Sequence, residues 1–148
     1  MKSILVISAT ALLLLSACQS GKKLVAVSSS GAPKAIGPYS HAIKTGRLIN
    51  TSGQIGLSPA NGALAGDDIA AQTTQALENL KAILLDAGSD MEHVVKVTVF
   101  LKDLNDYAKV NEIYQACFTG VKPARSAVQV ARLPKDALIE IECVATKK

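Results

Sequence analysis

The sequence predicts a two-layer α+β domain. Two stretches repeat apolar residues at helical spacing, strand-like runs lie around and between them, and turn chemistry marks the joints. Residues 23–27 read as a first short strand, and Ser28-Ser29-Ser30-Gly31-Ala32-Pro33 as a loop. Residues 40–44 and 48–52 read as a hairpin turning at Thr45-Gly46-Arg47. Ser58-Pro59-Ala60-Asn61-Gly62 is a further turn cluster. Asp67 and Asp68 then stand at a helix start, where carboxylates cap free amides and suit the dipole. Ile69, Thr73, Ala76, Leu77, Leu80, Leu84 and Ala87 share one face of that helix, and Gly88 ends it. Residues 94–101 form a strong strand, with Val95, Val97, Val99 and Leu101 expected on one face. Residues 104–118 form a second helix with a stripe of Val110, Ile113, Tyr114 and Cys117. The chain closes with an expected hairpin: a strand from Arg125, a Leu133-Pro134-Lys135-Asp136 turn, and a return strand through Ile139-Glu140-Ile141-Glu142. Two helices cover one face of the sheet. The other face also carries apolar and small residues, and a homo-oligomer with sheets turned inward would cover it.

The N-terminus sets the expected compartment. Met1-Lys2-Ser3 is a basic start, residues 4–15 are apolar but too short to span a bilayer well, and Ser16-Ala17 precede Cys18. This order resembles a bacterial lipoprotein signal. It divides the chain into a signal peptide (1–17), a lipidated Cys18 with a short tether (18–21) and one domain (22–148). Gln19, rather than an aspartate, after the cysteine favours the outer membrane, facing the periplasm. An ordinary secretory leader cleaved nearby is the competing reading.

Sixteen lysines and arginines against twelve acids give a net charge of +4, with Lys22, Lys23, Lys147 and Lys148 at the ends. So mild and end-weighted a charge, with 3% aromatic residues, does not make a nucleic-acid stripe or a base-stacking platform. Cys117 and Cys143 read as two buried free thiols, with a disulfide as the alternative. His41 and His93 share no metal-ligand spacing with each other or with the cysteines, so no metal site is expected.

Arg125 and Glu140 carry the chemical signal. A planar guanidinium grips a carboxylate bidentately, and a partly desolvated glutamate moves protons. Taken singly, each has a plainer reading: Arg125 as a structural ion pair at a strand start, Glu140 as an outward residue alternating with Ile139 and Ile141. Glu142 shares the face of Glu140 and competes with it as proton carrier. Arg125 and Glu140 reach one another only if strand register, or a second subunit, brings them to the same side.

Ile36-Gly37-Pro38-Tyr39-Ser40-His41-Ala42, Ser52-Gly53-Gln54-Ile55, Gln75-Ala76-Leu77-Glu78-Asn79-Leu80, Val95-Lys96-Val97-Thr98-Val99-Phe100-Leu101, Pro123-Ala124-Arg125-Ser126 and Ile139-Glu140-Ile141-Glu142 form one ordered set. From about residue 22 to 146 the chain resembles the Rid family, the reactive intermediate deaminases also called YjgF proteins. The resemblance implies a homotrimer of chorismate-mutase-like fold, with a central β-barrel, helices outside and clefts between subunits. It implies hydrolysis of enamines and imines such as 2-aminoacrylate, which yields pyruvate and ammonia, without metal or organic cofactor. Position by position, Arg125 matches the carboxylate-holding arginine and Glu140 the glutamate that positions water. Tyr39 matches the cleft-wall tyrosine, Ser52 and Gly53 the pocket-lining segment, and Asn111 an asparagine near the cleft. Ala127 stands where relatives often carry cysteine, so its backbone amide remains as a donor and no thiol nucleophile is available there. A non-catalytic lipoprotein that binds a small carboxylate or a partner protein, or a holdase, is the alternative on the same scaffold.

Overall fold

A computed structural model describes residues 23–148; the leader, Cys18 and the tether lie outside the described residues. The elements are β1 (Leu24–Val27), β2 (Ala42–Thr45), β3 (Leu48–Thr51), β4 (Gln54–Ile55), α1 (Ile69–Ala87), β5 (Val94–Leu101), α2 (Tyr107–Cys117), β6 (Ala124–Gln129) and β7 (Ile139–Thr146). They build one seven-stranded mixed sheet in the order β1-β2-β3-β7-β5-β6, with β4 also pairing β7. Val27, Ile49, Val97, Val99, Leu101, Ile139, Ile141, Cys143 and Ala145 bury one sheet face against Ala76, Leu77, Leu80, Ile83 and Leu84 of α1 and Val110 and Tyr114 of α2. The expected two-layer architecture is the one observed.

α1 obeys its sequence signals. Asp68 Oδ1 accepts from the amides of Ala70 and Ala71, both at 2.9 Å. Gly88, at φ 83°, takes the left-handed conformation that ends the helix, and the Ser89 amide closes back on Leu84. Every residue of the predicted apolar face except the partly buried Ile69 is buried.

Three expectations need correction. The C-terminal hairpin does not form. β6 runs parallel to β5, and β7 lies antiparallel on the other side of β5. Parallel neighbours need a crossover connection, which α2 supplies between β5 and β6. Secondly, Val95 does not share the face of Val97. Val94 pairs Ala145 and Lys96 pairs Val144, so Val95 is an extra bulged residue, 46% exposed against 1% for Val97. Thirdly, α2 starts at Tyr107, after a 3-10 turn at Leu104–Asp106, and Cys117 is exposed; Phe118 takes its place in the core beside Tyr114. Both cysteines are free, but only Cys143 is buried.

A second bulge positions the site. Asn50 pairs Val144, whereas Gln54 pairs Ile141, so Thr51, Ser52 and Gly53 face only Cys143 and Glu142. The Thr51 hydroxyl repairs the interrupted ladder, accepting from the Cys143 amide at 2.9 Å and donating to its carbonyl at 3.2 Å. Buried amides hold the strand beyond. Gln54 donates to the Gly53 carbonyl at 2.9 Å, and Asn79 of α1 donates to the carbonyls of Ile55 and Leu57 at 3.3 and 2.9 Å. On the sheet face away from the helices, Ile55, Leu57, Leu133 and Ala137 form a smaller core, with Phe100, Leu64 and Val130 packed against it.

Candidate active site in two halves

The first half lies on the open face of the sheet, at the edge of the smaller core. Ile36, Gly37, Tyr39, Ser52, Gly53, Ile55, Pro134 and Glu140 line a cavity of about 440 Å³. Glu140 pairs Ile55 of β4 and Phe100 of β5, so its half-buried side chain shares their apolar surroundings. Burial first, and the Glu142 charge second, push its carboxyl above the usual range. Ser52 is pinned by its own hydroxyl, which donates to the Ser40 carbonyl at 2.7 Å. Gly53 leaves room for the acid: a Cβ there would fall 2.7 Å from the Glu140 carboxyl carbon, so any larger residue would push the carboxyl aside. The Tyr39 hydroxyl accepts from the Ile36 amide at 3.2 Å, which folds the 36–39 segment into the cavity wall. Pro134 arrives on a turn whose Lys135 and Asp136 both sit at φ 56°, a strained conformation for side-chain-bearing residues. Arg132 clasps Asp136 across that turn, at 2.7 and 3.1 Å.

The second half lies under the helices. Arg125 is in register with Val97 and, through it, with Cys143, both in the main core, so it points to the helix side. Its Nη2 donates to the Tyr107 hydroxyl and to Asn111 Oδ1, each at 2.8 Å. The guanidinium carbon lies 4.6 Å from the Tyr114 ring centroid and 5.3 Å from that of Tyr107, within cation–π range of both. Among the described residues no carboxylate pairs with Arg125. The structural ion pair is therefore not its role; it is a half-buried cation held by neutral groups. Beneath it, the buried Tyr114 hydroxyl has no hydrogen-bond partner among the described residues, and burial pushes it up to about 12, against the nearby guanidinium. Ala127 follows on the same face of β6 and packs against the main core.

Tyr39, Ser52, Gly53 and Glu140 thus meet in one cavity, and Arg125 and Asn111 meet in another place. Within a protomer the two groups occupy opposite faces of the sheet. Glu142 shares the face of Glu140 but lines a separate, smaller cavity with Asn50, Thr51, Lys96 and Thr98. The sequence reading did not single out Tyr107. Its signal is the spacing of Tyr107, Asn111 and Tyr114, four and then three residues apart, which places all three on one helix stripe.

The histidines are otherwise engaged. Buried His41 accepts from the Ser29 amide on Nδ1 at 2.8 Å and reaches the Pro33 carbonyl from Nε2 at 2.9 Å. An amide only donates and a carbonyl only accepts, so the ring is neutral with its proton on Nε2, and it ties down the 29–33 loop. That loop, with Lys34, Tyr39 and Asp86, lines a broader cavity of about 880 Å³, where His41 has no free nitrogen to offer. His93 contacts Asp90 at 2.6 Å. Burial pushes the Cys143 thiol up to about 11, so it stays protonated.

Residues 29–147 match the model of the Endoribonuclease L-PSP family. A RutC family protein of Pyrococcus abyssi is 56% identical over 117 residues, 79% of this chain and 92% of that protein. The 2-iminobutanoate/2-iminopropanoate deaminase of Salmonella typhimurium is 50% identical over 125 residues, 82% of this chain and 97% of the enzyme. The crystal structure of the YjgF gene product of E. coli superposes with a TM-score of 0.80 at 49% identity, covering 84% of this chain and 99% of that one.

Proposed function

Because the chain belongs to the Endoribonuclease L-PSP family, which includes the Rid proteins, we propose that it hydrolyses small 2-imino acids and their enamine tautomers to 2-oxo acids and ammonia. The observation that carries this reading is Arg125, a cation at a sheet edge that neutral groups hold and, among the described residues, no acid neutralises. Such a guanidinium is prepared for an anionic ligand. The deaminase of Salmonella typhimurium acts on substrates of this kind, short and carboxylate-bearing, as its name states.

The chemistry follows from the two halves. Arg125 anchors the substrate carboxylate, which fixes the imine carbon in place. Glu140 accepts a proton from water as the water oxygen bonds to that carbon. On the protonated imine this gives a neutral carbinolamine; the same carboxyl then returns the proton to nitrogen, the carbon–nitrogen bond breaks as ammonia leaves, and the hydroxyl proton passes to solvent as the carbonyl forms. A carboxyl raised above its usual range is suited to both steps. The Ser52-Gly53 bulge and Tyr39 shape the wall beside it.

Arg125 and Glu140 act on one substrate only if a second protomer brings its helix-side arginine to the open-face cavity of the first. A homotrimer with clefts between subunits accomplishes this and covers Leu24, Leu48 and Val128, which the lone protomer exposes. Outside residues 23–148, Cys18 serves as a lipid anchor that follows removal of residues 1–17 and tethers the 22–148 domain at the periplasmic face of the envelope. Three anchors on a trimer hold by avidity. Cys18→Ser is expected to move the protein to the soluble fraction with its oligomer mass unchanged; continued membrane association would count against the anchor.

The test of function is ammonia release from freshly generated 2-aminoacrylate. The chain is expected to accelerate it, and Arg125→Ala to lose at least about 30-fold, the equivalent of the ~2 kcal/mol or more that a desolvated charge contact contributes. Ligand binding without turnover would favour the non-catalytic alternative.

A further inference from the structure

We propose that the Tyr107 hydroxyl is a placeholder for the substrate carboxylate on Arg125, displaced when substrate binds, and that it thereby sets the affinity of the site. The inference rests on Arg125 being the carboxylate anchor. A guanidinium offers five N–H donors, and a carboxylate takes two parallel ones from adjacent nitrogens. Two such pairs exist, Nη1 with Nη2 at the end and Nε with Nη2 along the side, and Nη2 belongs to both. Here Nη2 gives its two hydrogens to Tyr107 and to Asn111. No forked contact with a carboxylate forms until one of these acceptors leaves.

Tyr107 is the one that leaves. It is the first residue of α2 and 40% exposed, whereas Asn111 lies a turn further along the helix and is half-buried. Its phenol is neutral, and a carboxylate makes the stronger, charge-assisted bond to the same hydrogen. The exchange does not disturb the seat of the guanidinium, because Asn111 keeps its bond and the Tyr114 ring, further along the same helix, stays 4.6 Å away. Tyr107 therefore positions Arg125 before substrate binds and competes with the substrate during binding. Removing its hydroxyl while keeping its ring leaves the cation–π contact and removes only the competition.

Calorimetric titration of the full-length chain with pyruvate tests this, using wild type, Tyr107→Phe and Arg125→Ala. Tyr107→Phe is expected to bind pyruvate about 2–10-fold more tightly, the range that corresponds to one neutral hydrogen bond no longer broken. Its KM for the imine is expected to fall in parallel. A role confined to folding would weaken binding or leave it unchanged. If wild-type binding depends on Arg125 but Tyr107→Phe binds no more tightly, the placeholder is overturned and the anchor stands. If binding does not depend on Arg125, both are overturned.

Discussion

Glu140 shows how a single position can be prepared for proton transfer at the expense of stability. Its carboxyl is half-buried beside Ile55 and Phe100, and burial followed by Glu142 raises it above the usual range. A group raised on folding favours the folded state while protonated, and that contribution is lost as pH climbs through the folded value. Glu140→Gln, which cannot ionise, is therefore expected to melt at a higher temperature than wild type at neutral pH, with the difference closing in acid. The same variant is expected to lose about 10²-fold or more in deamination rate. A lower melting temperature at neutral pH would refute the assigned environment. Gly53 makes a sharper case, since a methyl group there collides with the Glu140 carboxyl. Gly53→Ala should therefore fold, since its φ is not in the left-handed region, yet lose most activity by displacing Glu140; unchanged turnover would contradict the contact. Arg125 and Glu140 stood out in the sequence only through the resemblance of the motifs around them, since taken singly each has a plainer structural reading. Their separation was not legible, because the face on which each side chain stands depends on strand pairing.

At the scale of elements, local signals and long-range pairings separate cleanly. The cap at Asp68, the stop at Gly88 and the apolar face of α1 were all legible, since each depends on neighbours within a few residues. The expected C-terminal hairpin failed because sequence proximity and turn chemistry do not decide between pairing directly and pairing through a third strand; β5, as long as β7 and longer than β6, takes the place between them. The bulge at Val95 likewise escaped a strict alternation. What holds the site-bearing strand β4 is also non-local: Asn79 reaches from α1 to two carbonyls flanking Gly56, where a Cβ would lie 2.6 Å from the Gln72 backbone. Asn79→Ala strands the Leu57 carbonyl in the interior, while the Ile55 carbonyl keeps the Leu57 amide at 2.8 Å, and is expected to destabilise the fold by about 1–3 kcal/mol in chemical denaturation. A loss below about 0.5 kcal/mol would mean that the amide does not support the strand.

The whole molecule explains why its most distinctive residues look unfinished. One protomer presents an acid cavity on the open sheet face and an arginine seat on the helix face, and neither half alone holds and hydrolyses a small anion. Fold class was legible because amphipathic patterns count layers; the completeness of the site was not, because oligomer geometry leaves little trace in the pattern of one chain beyond an uncovered sheet face. The proposed trimer would join the halves, and the open face with its exposed Leu24, Leu48 and Val128 is where further cover is needed. The most direct measurement mixes two disabled chains. Arg125→Ala and Glu140→Ala, each inactive alone, are unfolded together in equal amounts and refolded. In trimers assembled at random, about a quarter of the clefts then pair an intact Arg125 with an intact Glu140 from different protomers, and deaminase activity should return to about that fraction of wild type. No recovery, from a mixture shown by mass to contain both chains in one oligomer, would contradict a site completed between subunits.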